Sequence, residues 1–170
     1  MQFTDLLRAT VLIAASLATG LIVISMLLIN QDANTTLAAM ALGWWAIAIA
    51  IGVYLGRAER ARSALADPLA KAKTTTSLPS ESPASIAFAR LWPVGLFTIV
   101  VGAAGAFAPQ VPAIAAGATL MVAAAWRNRE AAVEAIEERD GVCFYVEPGN
   151  AFEPIKLVRT PGLKRGGAAT

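Results

Sequence analysis

Few side chains in this chain of 170 residues could do chemistry, and their pattern argues against it. Cys143, the single cysteine, follows Gly141-Val142. A thiol nucleophile needs a base and oxyanion donors, and the chain has no histidine to act as that base. One cysteine also rules out an intramolecular disulfide and paired-thiol redox chemistry. Glu134, Glu137 and Glu138 are spaced closely enough to pair, but they belong to a dense charged run. They read as a solvated acidic face, because nothing beside them in sequence would desolvate them or hold a metal. No glycine-rich phosphate or dinucleotide fingerprint is present. The sequence therefore predicts no catalytic residue, no metal site and no cofactor.

The elements that carry these residues are visible in the charge map. All 14 lysines and arginines fall in the first eight residues, in 57–90, or from Arg127 onward. Between them lie four stretches free of Asp, Glu, Lys and Arg: Ala9–Ile29, Leu37–Gly56, Leu91–Ala108 and Val111–Trp126. A helix of about 17–25 apolar residues covers the hydrocarbon core of a bilayer. Basic residues confined to alternate connections mark the cytoplasmic side. The expected fold is an all-α membrane protein with four transmembrane helices in two hairpins. It carries a short cytoplasmic helix extension and a β-hairpin tail, sits in the cell membrane and keeps both termini in the cytoplasm. The expected organisation is 1–56 (spans 9–29 and 37–56), a basic linker at 57–90, 91–126 (spans 91–108 and 111–126) and a tail at 127–170. The net charge of +2 is assigned to lipid contact at the flanks and not to nucleic acid. The first apolar run exceeds the ~7–15 residues of a secretory core, so it reads as a retained signal anchor.

Small residues supply the strongest packing signal. Ala48, Gly52 and Gly56 recur every four residues and so share one helix face, where another backbone can approach closely. Another span of the same chain is the favoured partner, with a second copy as the alternative. Ala115, Thr119 and Ala123 make a second such stripe in the fourth span. Pro93 is placed in the first turn of span three, where a missing N–H is tolerated. Tyr54, Trp92 and Trp126 fall at the inner boundary, where amphipathic rings settle. Trp44 and Trp45 lie deeper and read as packing residues whose indoles need acceptors. Ser16, Thr19, Thr98 and Thr119 are the few hydroxyls within the spans, expected to bond to their own helix carbonyls. Thr74–Ser85, rich in Ser, Thr and Pro, reads as a flexible linker, and 166–170 as a disordered end.

Arg57-Ala-Glu-Arg60-Ala-Arg62 is expected to continue the second helix beyond the membrane, and beyond Trp126 the charge density predicts that the helix continues as 127–140 and stops at Asp140-Gly141. Val142–Val146 and Pro154–Arg159 then read as two strands around a Pro148-Gly149-Asn150 turn. So small a hairpin is marginal alone and must rest on the membrane surface, on the 57–73 segment or on a partner. The run Asp140-Gly-Val-Cys-Phe-Tyr-Val-Glu-Pro148 with Pro154-Ile-Lys-Leu-Val-Arg-Thr-Pro-Gly162 resembles the tails of uncharacterised integral membrane proteins of high-GC actinobacteria. The resemblance covers about the last 30 residues; it implies a recognition element and no activity.

Two functional readings follow. The first is a non-catalytic accessory protein that presents a cytoplasmic tail, with Phe144 and Tyr145 as docking aromatics for a membrane-protein partner or a second copy. Phe144 covering the inner ends of the spans is the competing reading. The second is a passive channel or a carrier for an apolar or lipid-linked substrate. No span holds the ionisable group on which ion-coupled transport relies.

Overall fold

The computed structural model describes residues 1–31, 34–70, 72–74, 83–153 and 155–161. Most of the linker predicted at Thr74–Ser85, and the end at 166–170, lie outside the described residues. The chain is mostly helical. Helices α1 (Phe3–Gln31), α2 (Thr35–Leu55), α3 (Ala58–Ala70), α4 (Pro83–Ala104), α5 (Gln110–Trp126) and α6 (Arg129–Asp140) are accompanied by strands β1 (Lys73–Thr74), β2 (Val142–Val146) and β3 (Leu157–Pro161). Three of the helices, α1, α2 and α4, are long and apolar enough to cross a membrane. α5 carries no charged residue but has 17 residues, about 25 Å at ~1.5 Å per residue.

Helix ends follow local chemistry. Asn34 Oδ1 accepts the Leu37 N–H at 3.0 Å and caps α2. Gly141, at φ +63°, closes α6 in the left-handed conformation that glycine adopts without steric penalty.

Two hydrophobic cores organise the chain. The first lies within the apolar helices, with Leu21, Ile29, Trp45, Val101 and Ala116 among its members. α5 is its centre and packs chiefly against α1 and α2. Contacts fix the directions. Trp45 meets the start of α5 and Gly52 its later part, so α2 and α5 run parallel. Gly102 faces Ile24 and Gly105 faces Leu28, so α1 and α4 run parallel as well.

The second core lies beyond the apolar stretches. Phe3, Leu6 and Leu7 of α1, Leu65 and Leu69 of α3, Ile86 of α4, Val133 of α6 and Phe144, Val146 and Leu157 of the sheet close around one another. The sheet has the order β1-β3-β2, with β2 and β3 antiparallel and β1 parallel to β3. A bridge from Gln2 to Tyr145, and the Val146 N–H donating to the Met1 carbonyl at 3.0 Å, tie the first residues onto the free edge of β2. This platform is thus built from the beginning, middle and end of the chain.

Several expectations are corrected. α4 begins at Pro83, so Pro93 lies well inside the helix and not in its first turn. The helix starts early because Ile86, 1% exposed, is drawn into the platform core. Pro93 then leaves the Ala89 carbonyl without its usual helical donor. The basic segment after Gly56 and the charged segment after Trp126 do not extend α2 and α5. Both chains turn there, and Asn128 Nδ2 donates to the Gly56 carbonyl at 2.6 Å, holding the two turns together. The second arm of the hairpin runs from Leu157 to Pro161, three residues later than its predicted start. The hairpin gains a third strand from the 57–73 neighbourhood, one of the supports it was expected to need.

Candidate functional site

Three arrangements could carry function: the α2–α5 seam, the platform, and a crevice between α1, α4 and α5. At the seam, Ala48 is fully buried on the stripe that includes Gly52 and Gly56. A Cβ at Gly52 would stand 2.6 Å from the Met121 carbonyl oxygen and 2.8 Å from Ala124 Cβ. One at Gly56 would stand 2.5 Å from the Ala124 carbonyl oxygen. The facing element is α5 of the same chain, so backbone meets backbone along this edge.

Trp44 and Trp45 complete the seam. Trp45 Nε1 donates to the Ala113 carbonyl at 2.8 Å, and Trp44 Nε1 to the Ile114 carbonyl at 3.1 Å. Gly117 makes room for this, because any Cβ there would collide with the Trp44 indole. The acceptors are carbonyls of the first turns of α5, so the pair clamps one helix onto another. Sequence reasoning asked for acceptors but had no means of naming them.

The hydroxyls within the apolar helices are satisfied by their own backbone. Ser16, Thr19, Thr98 and Thr119 donate to the carbonyls of Leu12, Ala15, Val94 and Ala115 at 2.8–2.9 Å, each four residues back. Ser25, fully buried, does the same to Leu21 at 2.6 Å. The crevice beside them has a volume of about 600 Å³ and is almost wholly apolar, with Ile13, Val94, Phe97, Ile114 and Val122 among its walls. Its two hydroxyls, Thr10 and Thr119, are already bonded within their own helices at 2.8 Å. A volume of that order suits an apolar ligand or a hydrocarbon chain, not an ion.

The platform accounts for the tail. Phe144 is 2% exposed and belongs to the platform core, while Tyr145 is half-buried beside Gln2. Phe144 therefore presents no exposed ring, which agrees with the competing reading that it covers other parts of the chain. Residues 142, 144 and 146 share the inner face of β2, and α6, α3 and the start of α1 close over it. Glu137, one of the three acidic candidates, accepts the Phe144 N–H on Oε1 at 2.8 Å and tethers the strand to α6. Among the described residues no three His, Cys, Asp or Glu side chains gather as a metal set would. Cys143 is buried.

Charges frame the platform. Arg139 Nε donates to Asp140 Oδ1 at 2.8 Å; this bond holds the carboxyl below its ordinary range and raises the guanidinium. The pair is solvated and adds little to stability. Arg129 lies 4.1 Å over the Trp126 ring, and burial lowers its pKa without removing its charge. Arg57 and Arg60 stack on Tyr54 at 4.7 and 4.3 Å, and Arg60 Nη2 donates to its hydroxyl at 3.1 Å. Trp92 meets Phe152 edge to face at 6.5 Å. Each boundary aromatic is thus engaged by a residue outside its own apolar stretch, at the end of the bundle that bears the platform. Comparison with protein families, curated proteins and solved structures finds no match for this chain.

Proposed function

We propose that the chain is a four-pass accessory protein of the cell membrane, non-catalytic, anchored by α1, α2, α4 and α5 as two hairpins. Both termini and the platform then lie in the cytoplasm, and the platform is the surface offered to a membrane-protein partner or a second copy. What carries this reading is the second hydrophobic core: a folded unit built outside the four charge-free stretches, at one end of the apolar helices. The parallel pairs α1/α4 and α2/α5 are what two consecutive hairpins require. α5 fits as the fourth span because a short apolar helix surrounded by neighbours is tolerated with local thinning of the bilayer. Docking would use the exposed outer surface of the platform, since Phe144 faces inward.

A second reading has one observation in its favour. The apolar crevice between α1, α4 and α5 would suit a carrier or holder of an apolar or lipid-linked molecule. Purification of the full-length protein in mild detergent separates the two. The accessory reading expects a defined larger complex with a stoichiometric membrane-protein partner or a discrete homo-oligomer that dissociates when the platform surface is altered. A lone particle that retains a hydrophobic small molecule through purification would favour the carrier. Topology is checked with single cysteines at Asn34 and Asn150, both exposed. An impermeant reagent added to intact cells is expected to label position 34 and spare position 150; the reverse pattern would overturn the orientation.

A further inference from the structure

The loop between β2 and β3 carries an aromatic side chain that the platform core does not use. The Glu153 N–H donates to the Asn150 carbonyl at 3.2 Å, closing a turn that places Phe152 at its third position. Phe152 is 84% exposed there. It is not loose: Arg90 of α4 donates to the Glu147 carbonyl and to the Glu153 carbonyl, each at 3.4 Å, so both sides of the loop are tied to that helix. Trp92 of α4, 43% exposed, meets Phe152 edge to face, and Phe88, one turn earlier, is 75% exposed.

These rings continue a longer feature. Phe88, Trp92, Leu96 and Ile99 recur at helical spacing, and all four are exposed. The stripe runs from the platform end of α4 up a helix apolar enough to cross a membrane. Its upper half has only hydrocarbon to face if α4 spans, and the lower half follows without a polar interruption. Phe152 lies at the lower end of this stripe, where tryptophan and its neighbours meet the headgroup level.

We propose that the Asn150–Glu153 turn is a membrane-interface anchor, in which Phe152 inserts with Trp92 and Phe88 among the tops of the acyl chains of the cytoplasmic leaflet. The proposal rests on the membrane-anchor reading above. Its ligand is the bilayer itself. The nearby charges balance, Glu147 and Glu153 against Arg90 and Lys156, so apolar area and not anionic lipid drives insertion.

The test uses the full-length protein carrying Cys143→Ala, reconstituted in phosphatidylcholine nanodiscs. An environment-sensitive fluorophore is attached to a single cysteine at 152, at 99 or at 150. The label at 152 is expected to emit to the blue of that at 150. A lipid nitroxide at the top of the acyl chain should remove most of its emission, and raising salt to about 1 M, where the Debye length is ~3 Å, should change nothing. The label at 99 should be quenched by a deep nitroxide. A water-like label at 152 beside a hydrocarbon-embedded label at 99 overturns the anchor and leaves the spanning reading intact. A water-like label at 99 overturns both. Blue-shifted emission at 152 that no lipid nitroxide reaches overturns the lipid assignment in favour of a protein cover.

Discussion

Phe144→Ala is expected to destabilise the protein by about 3–5 kcal/mol, the range for truncating a buried aromatic. Phe144 is 2% exposed, packed in a core drawn from α1, α3, α4, α6 and the sheet, and its backbone N–H is held by Glu137. Removing the ring opens a cavity where elements remote in sequence converge, so little collapse is available to fill it. Against a typical stability of ~5–15 kcal/mol, that loss is a large fraction of the whole. Phe107→Ala is the matched control, expected to shift detergent stability by no more than ~0.5 kcal/mol because its ring is 93% exposed. Denaturant unfolding with hydrogen exchange on α3 and α6 reads both. If Phe144→Ala leaves stability and exchange unchanged but abolishes partner capture, Phe144 is a docking residue after all. The same packing predicts that deleting 141–170 uncovers Phe3, Leu6 and Leu7 and does not leave an intact folded remainder.

Gly52→Leu is expected to be the most damaging single change in the apolar bundle. The atoms that meet a new side chain are the Met121 carbonyl oxygen and Ala124 Cβ, at 2.6 and 2.8 Å from where the first carbon would stand. Neither is the end of a flexible side chain, so α2 and α5 must separate. Overpacking of this kind costs about 1–3 kcal/mol. Separation also strains the Asn128–Gly56 bond one turn away and the Trp45–Ala113 bond two turns away, so the upper part of the range is expected. Gly43→Leu on the same helix is the control, because nothing lies within 4 Å of a Cβ there. Thermal unfolding in detergent should separate the two variants clearly. Equal transitions would mean that the close approach of α2 and α5 does not persist in the folded protein.

Features set by neighbours along the chain were legible in the sequence. Absence of charge marked the apolar helices, Gly141 marked the end of α6, and the four-residue spacing marked the face holding Gly52 and Gly56. The helical hydroxyls were legible for the same reason, since their acceptors lie one turn away. What escaped depends on partners distant in sequence. α4 starts early through the burial of Ile86 in a core assembled elsewhere. The breaks after Gly56 and Trp126 meet at a hydrogen bond between residues 56 and 128, a partnership that neighbouring residues do not announce, and a continuous helix was the better local reading. Whether Phe144 docks a partner or covers the span ends was left open, because a short strand flanked by charges does not reveal which of its faces meets a helix. The carbonyl acceptors for Trp44 and Trp45 required knowing that α5 is their neighbour.

The pairing of Gln2 with Tyr145, and of the Met1 carbonyl with the Val146 N–H, also sets an order of events. The first residues of the chain are synthesised long before their partners exist. α1 and α2 can both form while the start of α1 remains unmatched. Contacts that span nearly the whole chain carry the largest loop-closure entropy and form slowly. Closure of the platform therefore waits for β2 and β3 to be made, whatever the order in which the apolar helices pair.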